Sequence, residues 1–112
     1  MARGIELHIQ YSGVSDKDTL INITNHGYFN LNGHASNIDD HMLRISASKF
    51  GCVDPDGLYT GELRNVKETA FDFNTEKRIG DSIHAEDEQL IIARGYDHPY
   101  VFDTKRKSSL FI

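Results

Sequence analysis

The sequence predicts an all-β protein, an antiparallel β-sandwich or part of one. Apolar residues recur at period two rather than 3.6, most clearly in Ile5-Glu6-Leu7-His8-Ile9-Gln10-Tyr11. That alternation fits a half-buried strand. Short apolar segments are separated by turn-forming clusters along the chain, as in sandwiches and barrels. No segment of helical length carries a helical period.

The elements follow in order. Ile5 to Tyr11 and Leu20 to Thr24 read as two strands of a hairpin, joined by the polar stretch Ser12 to Asp18. Asn30 to Asp40 is rich in Asn, Gly and Asp and reads as an irregular surface loop. Met42 to Ala47 alternates imperfectly and is taken as a strand. Asp54-Pro55-Asp56-Gly57 is a turn: Pro55 presets φ, Asp54 can bond the backbone, and Gly57 closes it. A calcium loop is excluded there, because Leu58 stands where the third oxygen ligand belongs. Glu62 to Val66, Gln89 to Ala93, Tyr100 to Asp103 and Ser109 to Ile112 supply further strands. Between them Lys67 to Ile83 reads mostly as loop, anchored by Phe71 and Phe73, which are spaced to point the same way. The chain ends on an apolar strand, an edge that favours pairing with another chain or membership of a larger sheet.

Composition narrows the function. The 112 residues, 38% hydrophobic and 10% aromatic, suit one globular domain with a modest core. The net charge of −5 and a single short basic stretch, Lys105-Arg106-Lys107, give no footprint for nucleic acid or an anionic membrane. The one cysteine, Cys52, admits no intrachain disulfide and suits a reducing compartment. No apolar run is long enough to span a bilayer, and the N-terminus has no signal-peptide core. The expectation is a soluble, cytoplasmic protein.

Six histidines are present. His26, His34 and His41, with Asp39 or Asp40, offer metal-ligand types, but no pair has HExxH spacing and no metal site is expected. His8, His34 and His84 read as exposed polar positions. His26 has a distinct setting, in Thr24-Asn25-His26-Gly27-Tyr28-Phe29. With Ile21 and Ile23 on a core side, Asn22, Thr24 and His26 share the other face, next to two aromatics. Sugars need hydroxyl partners and flat faces to stack on, and this face offers both. The local pattern still favours the plainer reading, a histidine satisfying a backbone carbonyl at a strand end. In Gly95-Tyr96-Asp97-His98, Asp97 and His98 are adjacent and point to opposite faces of an extended chain. Asp97 reads equally as an Asx-turn residue ahead of Pro99 or as an acceptor for hydroxyls.

Taken in order, these stretches resemble the aldose 1-epimerase (galactose mutarotase) family. The resemblance rests on Ile21 to Leu31 ("INITNHGYFNL"), Ile38 to Ile45, Val53 to Leu63, Phe71 to Gly80, and Asp87 to Phe102 ("DEQLIIARGYDHPYVF"). It implies an antiparallel β-supersandwich enzyme that interconverts the α and β anomers of hexoses such as galactose and glucose, with no cofactor. His26 maps to the family's general acid toward the ring oxygen, and Asp97 to a residue that bonds sugar hydroxyls. Asn25 and Tyr28 are taken with Asp97 as substrate contacts. Family members are about three times as long. The resemblance places a further histidine and an arginine upstream, and the general base, a glutamate, downstream of the stretch seen here. Residues 1–112 are therefore expected to be a single partial domain, the central portion of such a sandwich. The isolated chain is expected to be weakly active or inactive. The alternative is a non-catalytic carbohydrate-binding module, with a small-molecule hexose as partner in either case and self-association through exposed strand edges.

Overall fold

In the computed structural model of the protein, which describes residues 9–103, the turn at Asp54 organises the sheet. The Asp54 carboxylate accepts the N–H groups of Asp56 and Leu58 at 3.0 and 2.9 Å. Gly57, at φ 79°, donates back to the Asp54 carbonyl at 2.9 Å. Only glycine takes that φ without strain. The turn joins strands here called β2 (Ala47–Val53) and β3 (Tyr59–Asn65), which pair antiparallel. Strand β5 (Tyr100–Phe102) adds antiparallel on the other side of β2, giving the order β3-β2-β5. A second small sheet pairs β1 (Met42–Leu43) with β4 (Lys77–Arg78), again antiparallel. The antiparallel all-β class is as predicted.

The core lies against the three-stranded sheet. Phe50 of β2 stacks on Phe71 with ring centroids 3.9 Å apart and planes 9° from parallel. Ala47, Cys52, Val66, Phe73, Leu90 and Tyr100 complete the cluster. Phe71 and Phe73 anchor the 66–75 segment, as their spacing predicts, and both are buried. Each contributes about 1.5–3 kcal/mol by leaving water. The polar ends of this layer are satisfied: Tyr96 donates to the Ala70 carbonyl at 2.8 Å and Tyr100 to the Phe71 carbonyl at 3.1 Å. Burial raises both phenols, Tyr96 to about 12.

Several elements differ from expectation. Gln89–Ala93 is not a strand; it belongs to a short helix, α1 (Glu88–Ala93). Asp87 caps it, accepting from the Gln89 and Leu90 N–H groups at 2.8 and 3.4 Å. Arg94, at φ 59°, and Gly95 terminate it. A four-residue apolar run does not distinguish strand from helix, and here the caps decide. Met42 to Ala47 is not one strand: Met42–Leu43 forms β1, and Ala47 opens β2, the central strand, whose residues 48–53 the sequence reading left unassigned. Covered on both faces from Phe50 to Val53, β2 lacks the alternation that marks a half-buried strand. β3 begins earlier than Glu62, because its pairing with β2 continues past an irregularity of register opposite Gly61, which sits at φ 88°.

The largest correction concerns the first third of the described chain. Ile9 to Tyr11 and Leu20 to Thr24 form no hairpin and no strand. Ile21 and Ile23 do not face a core; they are 64% and 57% exposed. An extended segment becomes a strand only when a neighbour takes its N–H and C=O groups. Among the described residues none does. The surface loop over 30–40 is as predicted, a series of turns and bends. Ile5 to His8 and Ser109 to Ile112, both read as strand, lie outside the described residues.

Candidate functional site

The candidate residues fall on two segments of the chain, 24–29 and 95–98. His26 sits on the exposed 20–29 segment. Its ring lies 5.1 Å from that of Tyr28, tilted by 49°, and Tyr28 is itself 91% exposed. Beside them the Asn25 side-chain oxygen accepts the Gly27 N–H at 2.9 Å, so Asn25 closes an Asx turn around the histidine. Among the described residues the imidazole bonds none, so within them it satisfies no backbone carbonyl. His26, Tyr28 and Asn25 are thus brought together, in one solvent-accessible turn. The body of the protein meets this region further along, where the Leu31 N–H donates to His41 Nε2 at 2.8 Å. In that bond His41 Nε2 is the acceptor, so this nitrogen is engaged rather than free to serve as a ligand. Among the described residues no three His, Cys, Asp or Glu side chains converge as a metal site.

Asp97 belongs to the packed unit. It stands in the turn between α1 and β5, exposed, next to buried His98. The two point to opposite sides, as their adjacency predicts. Its carboxylate accepts no hydrogen bond from a described residue, so no Asx turn holds it. No described hydrogen bond joins residues 24–29 to 95–98.

The residues that hold the Asp97 turn escaped the sequence reading. His98 is 8% exposed, its ring edge-on to Phe50 and Phe71 at 5.7 and 4.7 Å. Its Nε2 lies 3.2 Å from the Gln89 side-chain oxygen, and the Asp97 N–H donates to its Nδ1 at 3.2 Å. Burial pushes this imidazole below the usual histidine range, opposed by the negative charges of Asp97 and Asp87. Gln89, 3% exposed, accepts the Val53 N–H at 2.8 Å and donates to the Val53 carbonyl at 3.3 Å. Gly51 brings the chain together from the other side, donating to the Pro99 carbonyl at 2.8 Å. A side chain there would press on Pro99 and the Tyr59 ring. The available sequence signal was Asp87 followed by Arg94-Gly95, cap residues spaced for a two-turn helix that would bury Gln89.

A family model described as Aldose 1-epimerase matches residues 3–111. The chain belongs to the aldose 1-epimerase family. It is 39% identical over 95 residues to an aldose 1-epimerase of Haemophilus influenzae, and 37% identical over 99 residues to that of Escherichia coli. It is 40% identical over 98 residues to the human galactose mutarotase. These alignments cover 83%, 88% and 87% of this chain but 27%, 28% and 27% of the relatives, so the chain spans about a quarter of their length. Among solved structures, the galactose 1-epimerase of Lactobacillus acidophilus NCFM superposes with a TM-score of 0.57 at 33% identity. That match covers 67% of this chain and 23% of the other. The fold is that of an antiparallel β-sandwich, and the family is an isomerase family. Among the described residues no helix is long and apolar enough to cross a membrane.

Proposed function

We propose that this chain supplies the general acid and one hydroxyl contact of a hexose mutarotase. The observation that carries the reading is the family match over residues 3–111, which includes both Thr24-Asn25-His26 and Gly95-Tyr96-Asp97-His98. The exposed setting of His26 and Asp97 supports it, since each side chain is free to meet a small molecule.

In the proposed reaction a base takes the proton of the anomeric hydroxyl while His26 gives one to the ring oxygen. The bond between the anomeric carbon and the ring oxygen breaks and an open-chain aldehyde forms. Rotation about the bond between the first two carbons turns its other face toward the hydroxyl, and closure returns both protons. No atom is gained or lost. Histidine suits the acid role because its ordinary pKa, about 6.5, lies near neutral pH, and a positioned acid contributes about 10²–10⁴-fold. Asp97 would accept two sugar hydroxyls, with Asn25 and Tyr28 lining the His26 side. No glutamate of this chain is assigned as the base.

The chain's span of about a quarter of its relatives' length favours a second reading for the chain acting by itself, binding sugar through Asp97 without turnover. Polarimetry of freshly dissolved α-D-galactose tests the two together with saturation-transfer NMR on the same samples. The proposal expects the 112-residue chain alone to leave the buffer rate of mutarotation unchanged while it binds galactose, with binding lost in Asp97→Ala. Binding that ignores Asp97→Ala would refute the sugar-contact assignment. Acceleration by the isolated chain that survives His26→Asn would refute the acid assignment.

A further inference from the structure

We propose that Gln89 and His98 are positioning residues for Asp97, forming a relay of hydrogen bonds from the central strand β2 to the exposed turn that carries the carboxylate. The relay follows from donor and acceptor inventory alone. Val53, in β2, presents both its N–H and its carbonyl to the Gln89 amide. Reversing that amide would set its NH2 against the Val53 N–H and its oxygen against the Val53 carbonyl, two buried mismatches. The oxygen is thereby fixed on the side that also faces His98 Nε2. An oxygen cannot donate, so Nε2 must carry the proton. In a neutral ring Nδ1 is then an acceptor, and the group aimed at it is the Asp97 N–H. Each bond dictates the polarity of the next, and the last one holds the backbone of Asp97.

The surroundings keep the ring neutral. Phe50 and Phe71 flank it, and Asp97 and Asp87 are the charged groups near it. Protonation would place a second proton on Nδ1, facing the Asp97 N–H, and would break the relay at that link. His98 is buried with both nitrogens engaged, so it cannot reach a substrate and acts only through Asp97. The significance for sugar binding rests on the assignment of Asp97 proposed above. The relay itself does not.

The test begins with the ¹⁵N-labelled 112-residue chain. Long-range ¹H–¹⁵N correlation of His98 is expected to show an unprotonated Nδ1 and a protonated Nε2, unchanged from pH 8 to below about 6.5, where a free histidine titrates. A protonated Nδ1, or titration near about 6.5, would overturn the proposal whatever the variants do. Two substitutions then separate positioning from simple core filling. His98→Asn places its side-chain oxygen where Nδ1 stood, whereas His98→Gln places its own nearer Nε2. Protection of the Asp97 amide from hydrogen exchange is expected within about threefold of the parent in His98→Asn. It is expected to fall by about tenfold or more, about 1.4 kcal/mol, in His98→Gln, although both variants lose the ring and melt earlier. Equal protection in the two variants would reduce His98 to a packing residue. Galactose binding should follow the same order. If binding instead ignores Asp97→Ala, the sugar assignment fails while the tautomer and exchange results still decide the relay.

Discussion

Replacing Gln89 by leucine should destabilise the protein far more than its single amide implies. Leucine matches the volume closely enough to keep water out, so the groups Gln89 serves are orphaned in a dry site. They are the Val53 N–H at 2.8 Å, the Val53 carbonyl at 3.3 Å and the His98 Nε2–H at 3.2 Å. Gln89, Val53 and His98 are all buried. A buried polar group left without a partner costs about 1–3 kcal/mol. The three together cost about 3–9 kcal/mol; burying the leucine returns about 1.5–3 kcal/mol, which leaves a net loss of about 1.5–6 kcal/mol. Domains of this size have total stabilities toward the low end of about 5–15 kcal/mol, so the variant should be at the edge of folding. Urea unfolding followed by tyrosine fluorescence reads this directly, since the chain has five tyrosines and no tryptophan. The expected result is a lower midpoint with an unchanged slope. A change below about 0.5 kcal/mol, the range of ordinary surface substitutions, would show that the amide does not bridge β2 to His98 and would refute the reasoning.

Other perturbations should read out equally plainly. In Gly51→Ala the new methyl would stand 2.6 Å from the Tyr59 ring and 2.8 Å from Pro99 Cγ. Tyr59 is half-exposed and can swing aside, but the Gly51 N–H pins Pro99, so urea unfolding should show a loss of about 1–3 kcal/mol. Glu68 sits at φ 63° in an exposed turn where Thr69 N–H donates to the Val66 carbonyl. Glu68→Gly should stabilise by about 0.5–1 kcal/mol, because the left-handed conformation costs a side-chain-bearing residue more than glycine loses in entropy. The pKa of His98 is lower folded than unfolded, so the unfolded chain binds the extra proton first. Stability should therefore hold above about pH 6.5 and decline as pH falls through the folded value. Denaturation midpoints between pH 7.5 and 5 should show that slope, flattened in His98→Asn.

Legibility in the sequence tracked how local each feature is. The Asp54 turn, the 30–40 loop and the Phe71–Phe73 anchor were readable because their causes lie within a few residues. The helix at Glu88 was not legible in the apolar run Leu90 to Ala93, which suits strand and helix alike; only the caps on either side distinguish them. The central strand Ala47–Val53 was not legible because burial on both faces erases period two. For Leu20 to Thr24 the alternation was present but no described residue serves as partner, and pairing is a property of two segments rather than one. The family resemblance picked out His26 and Asp97, yet their geometry depends on neighbours no motif records. Gln89 and His98 illustrate this: each is an ordinary polar residue in the sequence, and only the fold brings Val53, Gln89, His98 and Asp97 into one chain of bonds.

The central claim, that this segment carries the acid of a hexose mutarotase, is tested most directly by exchange. Residues 3–111 replace the matching segment of the Escherichia coli aldose 1-epimerase, and the chimera is assayed by polarimetry on fresh α-D-galactose. The account predicts acceleration over buffer that falls by about 10²–10⁴-fold when His26 becomes Asn, with the fold retained by circular dichroism. An active chimera whose rate is indifferent to His26→Asn would contradict it.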